Sequence, residues 1–300
     1  MRDTLPTVLE GTRLVTLAQN VPGPAAAARL REFGASIVKI EPPEGDPLSR
    51  SNPAWYEALA TGNEVIRLDL KDTTDRDRLD DRLAEADVLL TSSRPGALRR
   101  LGLGPEELGA RYPGLCRVAI TGYPAPREDE PGHDLTYLAA YGLLAPPDMP
   151  RTLLADLAGA ERAVTATLAL LLNRDRGGKA GYAEVPLSEA AAFFGEPLRY
   201  GITAPGDVLG GGLPGYNLYR ASDGWIAVAA LEEHFWLKLQ AKLRLEGARR
   251  EDLEEIFRQE TAGHWEEWAA KYDLPVAALR AAPEDHISHV VETSGGDEQM

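Results

Sequence analysis

The residues able to do chemistry are few and concentrated. Of five histidines, at positions 133, 234, 264, 286 and 289, only His133 lies in a loop between a strand-like run and a helix-like one, within Pro131-Gly132-His133-Asp134. In α/β folds, strand ends deliver side chains to a site at such places. An imidazole takes or gives a proton near neutral pH, and a carboxylate beside it can orient it, share the acid–base work or attack an electrophile. Asp156, ahead of the small-residue run Leu157-Ala158-Gly159-Ala160, is a second carboxylate candidate, and Glu232, between a hairpin and a helix, is a third. Each has a plainer reading. Asp134 can cap a helix beginning at Leu135, Asp156 can cap the long helix after it, and Glu232 can be a solvated first-turn carboxylate.

Other chemistries find little support. His286 and His289 have the spacing of a metal pair, but no ligand cluster accompanies them and no metal is assigned. The single cysteine, Cys116, excludes an internal disulfide and a cysteine-based zinc site, and its apolar neighbours read as a buried strand. Gly210, Gly211 and Gly212 lack the strand–GxGxxG–helix setting of a dinucleotide site, so no nicotinamide or flavin is expected; the triplet reads as a mobile lid. Neither GxxxxGK[ST] nor GxSxG occurs.

The elements that must position these groups alternate. RLVTLAQ, SIVKIEP, EVIRLDL, DVLLTS and LCRVAITG read as five strands, with helices at PAAAARLREFGA, TDRDRLDDRLAEA and PEELGARY between them. This βαβ series predicts a doubly wound, Rossmann-like, mostly parallel sheet in a large domain over residues 1–195. Longer helices follow from Asp134, and the apolar run between Arg162 and Arg174 reads as a buried helix. After a Gly/Pro-rich segment, a hairpin turning at Ser222-Asp223-Gly224 and several aromatic, acidic helices predict a smaller α+β domain over residues 196–280. A polar tail, 281–300, is expected to be disordered. Phe193, Phe194, Tyr200, Tyr216 and Trp236 are candidates for an apolar pocket, with core as the default.

The 300 residues carry 32 Lys/Arg against 47 Asp/Glu, a net charge of −15. That argues against a nucleic-acid surface, which needs a basic stripe, and requires any anionic ligand to meet a local cluster of positive charge. The longest stretch without a charge, Leu14 to Ala28, contains two prolines and falls short of the ~18 apolar residues a spanning helix needs. With no secretory leader visible at the N-terminus, a cytoplasmic protein is expected.

Six segments in consistent order resemble the class III CoA-transferase (CaiB/BaiF-like) family, which includes the α-methylacyl-CoA racemases. They are the run from Leu9 to Pro47, RPGALRRLGLGPEEL, PGHDLTYLAAYGLL, LADLAGA, GGGLPGYNLYRASDGWIAVAALEEHFW and EEWAAKYDLPVAAL. The resemblance implies an acyl-CoA thioester as substrate, no tightly bound cofactor, and an intertwined homodimer. It also implies two chemistries. In the racemase pattern, His133 and Asp156 are the acid–base pair and Glu232 is their partner; in the transferase pattern, Asp134 is the nucleophile. Lys39, Arg94, Arg99 and Arg100 are the candidates for the CoA phosphates, and Gly210–Gly212 form an active-site loop. The chain departs from the family pattern at Pro42 and at Gly62, Asn63 and Glu64, where relatives carry basic residues, and several linkers are shortened. These departures leave a thioester on an acyl carrier protein, or a noncatalytic binding role, as alternatives to free CoA.

Overall fold

A computed structural model describes residues 6–280; the expectations for His286, His289 and the tail 281–300 lie outside the described residues. The chain divides after Glu196 into two compact units.

In the first unit the elements run β1 (Arg13–Thr16), α1 (Pro22–Glu32), β2 (Ser36–Glu41), α2 (Pro47–Ser51), α3 (Pro53–Ala60), β3 (Glu64–Arg67), α4 (Thr73–Ala84), β4 (Val88–Thr91), α5 (Pro95–Arg100), α6 (Pro105–Arg111), β5 (Cys116–Thr121), α7 (Asp134–Ala140), α8 (Leu154–Asp175), β6 (Tyr182–Pro186) and α9 (Leu187–Phe194). A four-residue helix, α10 (Glu196–Arg199), spans the division. The six strands pair in parallel in the order β3-β2-β1-β4-β5-β6, the doubly wound arrangement.

Period-2 alternation explains why both faces of the sheet are apolar. Leu14, Ile37, Val88, Leu90, Val118 and Ile120 join one core with residues of α1, α8 and α9, while Val15, Ile40 and Leu89 join another with Leu79, Leu83, Leu98 and Leu108. Cys116 is buried in the first of these cores. Proline opens α1, α2, α3, α5 and α6 within their first positions, where its missing N–H costs nothing.

Two expectations need correction. The helix α8 is not buried all round: Ala155, Gly159, Ala160, Ala163, Val164, Thr167 and Leu171 form one buried stripe, while Leu172 is exposed. Gly159 is the close-packing point of that stripe, since a Cβ there would lie 2.2 Å from Leu187 Cδ2. Phe193, Phe194 and Tyr200 are exposed rather than core.

The second unit contains β7 (Tyr216–Arg220), β8 (Trp225–Ala229), α11 (Glu233–Leu243), α12 (Arg250–Phe257), α13 (Ala262–Lys271) and β9 (Val276–Ala278). Its sheet is antiparallel in the order β7-β8-β9, and the expected hairpin turn at 222–224 joins the first two strands. Tyr219, Phe257 and Trp265 stack through its core at centroid distances of 5.1 Å, and Trp265 Nε1 donates to Phe257 O at 2.9 Å. Among the described residues no helix is long and apolar enough to cross a membrane.

Candidate active site

A cavity of about 260 Å³ opens at the carboxyl ends of β1, β4 and β5, where the strand order reverses. Open α/β sheets offer their ligand crevice at that point. The loop after β1 supplies Gln19 and Asn20, the loop after β4 supplies Ser92, Ser93 and Arg94, and β5 ends at Thr121-Gly122. Glu128, Glu130, Pro131, Gly132 and His133 line another wall, with Tyr137 of α7 and Asp156 of α8.

Backbone contacts fix these loops. The Gln19 N–H donates to Ser92 Oγ at 2.9 Å, Asn20 takes a left-handed φ of 63° and donates its N–H to Asp46 Oδ1 at 3.0 Å, and Ser188 N–H binds Gly122 O at 3.0 Å. Glycines at 122 and 132 are required by Tyr137: a Cβ on either would stand 2.6 Å from the phenol oxygen. Burial pushes the Tyr137 hydroxyl up to about 12.

His133 is exposed at the N-cap of α7, and its backbone N–H and C=O both bond the Thr136 hydroxyl, at 3.1 and 2.8 Å. The imidazole is thereby left to the cavity. Asp134 behaves differently. It is 4% exposed, and its Oδ1 accepts from the Asp156 N–H at 3.0 Å, so it caps α8 rather than α7. Asp156 is not the cap of its own helix, because Leu153 holds that position and Asp156 sits in the first turn. A helix N-terminus favours the carboxylate by up to ~1 kcal/mol. Here burial and the neighbouring Asp134 charge outweigh it and raise the Asp156 carboxyl to about 7. The cavity therefore brings together an imidazole and a carboxyl that burial and a neighbouring carboxylate have raised to about 7.

The other expected site residues fall into different places. Arg94 lines the cavity and is exposed. Arg99 pairs with Asp129 at 3.2 Å, and Arg100 is exposed on the same short helix. Lys39 does not fit the phosphate role: it is 1% exposed, bound to Glu41 at 3.0 Å and to Asp46, with its ammonium over the Tyr56 ring at 4.7 Å. Strand alternation puts Lys39 and Glu41 on one face of β2, which is why its charge is consumed internally. Glu232 is the N-cap of α11 in the second unit and makes no side-chain capping bond. Gly210–Gly212 form a turn packed against its own neighbouring residues. A Cβ on Gly210 would stand 1.8 Å from Ala204 O and one on Gly212 2.3 Å from Gly206 O, Gly211 has φ of 89°, and Asn217 Nδ2 donates to Gly211 O at 2.8 Å.

Sequence reasoning missed Thr121, Glu128 and Tyr137. A hydroxyl residue closing an otherwise apolar strand was the available signal for Thr121; Glu128, in a polar loop, gave none. A second cavity of about 300 Å³ adjoins the first at Gln19 and Ser93, its lining divided between apolar residues such as Leu17, Ile40 and Leu68 and the charged Glu41, Glu44, Asp69 and Lys71. Among the described residues no cluster of three or more His, Cys, Asp or Glu could hold a metal ion.

Comparison with known proteins gives this geometry a family. The chain is 31% identical to the alpha-methylacyl-CoA racemase of Mus musculus over 283 residues, covering 88% of this chain and 71% of that protein. It is 29% identical to the probable fatty acyl-CoA transferase Rv3272 of Mycobacterium tuberculosis over 268 residues, covering 77% and 67%. A crystal structure of Rv3272 superposes with a TM-score of 0.80 at 25% identity, covering 92% of this chain and 86% of that one. Residues 9–292 match the model of CoA-transferase family III, and the chain belongs to that family.

Proposed function

We propose that the protein moves the α-proton of an acyl-CoA thioester, inverting the carbon beside the carbonyl. The observation that carries this reading is that His133 and Asp156 line one cavity, the carboxyl raised to about 7 while Asp134 holds its backbone. Inversion needs a base on one face and an acid on the other. Neutral His133 takes the α-proton, leaving an enolate; protonated Asp156 delivers its own proton to the opposite face, and the roles exchange for the other enantiomer. Arg94 is the cation placed to meet a phosphate or the polar thioester end, with Arg99 and Arg100 beyond it on α5; the second cavity is proposed for the remainder of the carrier arm. The acting species is proposed to be a homodimer, and a monomer mass by light scattering overturns that part.

Incubation with short 2-methylacyl-CoA thioesters in deuterated water tests the chemistry. The expected result is deuterium at the α-carbon without any carboxylate acceptor, falling by about 10³-fold in His133→Ala. No uptake by the unaltered protein, or full uptake in the variant, overturns it.

One observation favours a second reading, CoA transfer through an aspartyl intermediate. A nucleophile must be reachable, and Asp156 lines the cavity whereas Asp134 is buried with one oxygen bound. In that reading Asp156, not Asp134, attacks the thioester carbonyl and releases CoA thiolate. Hydroxylamine trapping at Asp156, with CoA appearing on an added acid, would establish it.

A further inference from the structure

A nucleotide carrier brings a diphosphate and a 3′-phosphate, and the carboxyl edge of the sheet is poorly furnished to receive them. In doubly wound folds the N-terminus of the first helix meets a diphosphate with free N–H groups. Here α1 opens Pro22-Gly23-Pro24, so two of its first three residues have no N–H, and the Ala25 N–H donates to Val21 O at 3.0 Å. Gly23 keeps the remaining N–H but is buried, packed so closely that a Cβ would lie 2.1 Å from Ala18 Cβ. Two neighbouring helix starts are closed by the protein's own carboxylates. Asp46 Oδ1 accepts from the Leu48 N–H at 2.9 Å at the start of α2, and Asp129 Oδ1 accepts from the Gly96 N–H at 2.8 Å at the start of α5.

The side chains repeat this pattern. Lys39 is bound to Glu41 and Asp46, and Arg99 to Asp129, which leaves Arg94 at the first cavity and Lys71 at the second as the Lys or Arg cations of the two linings. Glu44 and Asp69 stand with Lys71 in the second lining and all three are exposed, so the solvent side of that cavity carries more negative than positive charge. Its inner wall is apolar, with Leu17, Ile40 and Leu68 buried. Gln19 and Ser93, shared by both cavities, supply the polar groups that the amides of a flexible arm can bond. A cavity of this build suits an uncharged chain of amides and methylenes. It opposes a phosphate monoester, which carries a charge of about −1.5 to −2 at pH 7.

We propose that the site recognises its thioester through the pantetheine arm rather than the nucleotide, and that Glu44 and Asp69 are specificity determinants acting against the 3′-phosphate. The inference rests on the acyl-thioester reading above and on the second cavity as the seat of the arm, but not on which reaction follows.

The test is calorimetric binding of one acyl group, 2-methylbutanoyl, as its thioester with CoA, with 3′-dephospho-CoA and with pantetheine, at about 0.05 and about 0.5 M salt. The dephospho-CoA and pantetheine thioesters should bind at least as tightly as the CoA thioester. The CoA thioester should bind at least about twofold tighter at the higher salt, because screening weakens a repulsion where it would also weaken an attraction. The double variant Glu44→Gln/Asp69→Asn should tighten the CoA thioester by at least about threefold and leave the pantetheine thioester unmoved. The amide oxygen at position 69 can still accept from the Lys71 N–H, bonded at 3.0 Å in the parent, so the unfolding midpoint should hold. A CoA thioester that binds more tightly than the pantetheine thioester, an affinity for it that does not rise with salt, or a ratio of the two unchanged in the double variant each overturns the proposal. Failure of all three thioesters to bind removes the acyl-thioester reading and this proposal together. The expected order of affinities without α-exchange removes the proton-transfer reading alone.

Discussion

Two buried polar clusters stand near the carboxyl edge of the same sheet and are built in opposite ways. Around Lys39, every charge is answered from within the protein: Glu41 and Asp46 bind its ammonium, Tyr56 donates to Glu41 at 2.7 Å, and Asp46 accepts the N–H groups of Asn20 and Leu48 at 3.0 and 2.9 Å. Around Asp156, Thr121, Glu128 and Asp134 each keep an oxygen without a partner among the described residues, and the Asp156 carboxyl is raised by burial and by Asp134. Burial alone therefore does not mark a functional group. The first cluster is scaffold, and through Asp46 and Asn20 it fixes the loop that forms one wall of the cavity. The second keeps oxygens that no described protein group satisfies, and an incomplete set of hydrogen bonds is what a ligand or solvent can complete.

The largest effect that would test this contrast is the loss of Lys39. Lys39→Met keeps much of the stem volume but leaves Glu41 and Asp46 buried without their cation. Removing one partner of a buried pair costs about 3–5 kcal/mol, so the unfolding midpoint should fall by about 10 °C, with loss of CoA-ester binding only as a consequence of unfolding. A variant that is equally stable but binds more weakly would return Lys39 to the phosphate role that the sequence suggested.

Asp156 should show the opposite sign. Its carboxyl holds a proton up to about pH 7 in the folded protein, against an ordinary value of 3.8. Between those values the unfolded chain has lost a proton that the native state keeps, so this group's contribution to stability declines as pH rises through that window and levels off above it. Asp156→Asn removes the titration. It should therefore be more stable than the parent above pH 7, on the order of 2 kcal/mol, with the gain shrinking towards pH 4. Urea unfolding at a series of pH values reads this directly. A variant that is less stable at pH 8 would mean that Asp156 belongs with the satisfied cluster.

Much of the scaffold was legible and little of this contrast was. The strands β1, β2, β4 and β5 are short apolar runs, and β3 stood out as EVIR between turn residues. β6 went unread because Tyr182 and Glu184 face outward on an edge strand and leave only Val185 and Pro186 buried. The short helices α2 and α3 hid behind prolines, and α3 buries no residue at all. His133, Asp134 and Asp156 could be named because their residue types and neighbours are distinctive. Their division of labour could not, because it depends on the Asp156 N–H reaching Asp134 across 22 residues. Lys39 misled for a related reason: a lysine in a strand looks like a ligand contact until Asp46, seven residues on, is folded back against it.

The smallest effect separates the two arginines that the sequence treated alike. Arg99 is exposed and its carboxylate partner Asp129 is already bonded to the Gly96 N–H at 2.8 Å, so Arg99→Ala breaks a solvent-screened pair and leaves Asp129 with another donor. Exposed pairs contribute about 0–1 kcal/mol, so stability should change by less than about 0.5 kcal/mol and thioester affinity by less than about threefold. Arg94 has no carboxylate partner among the described residues, lines the cavity, and lies close enough to Tyr137 to oppose the rise of its phenol. Arg94→Ala should leave stability equally unmoved yet weaken binding by at least about tenfold, because the field that an anionic group would meet is then lost with no substitute on that wall. Equal, small effects from both variants would place the anion elsewhere and leave the cavity to the acyl group alone.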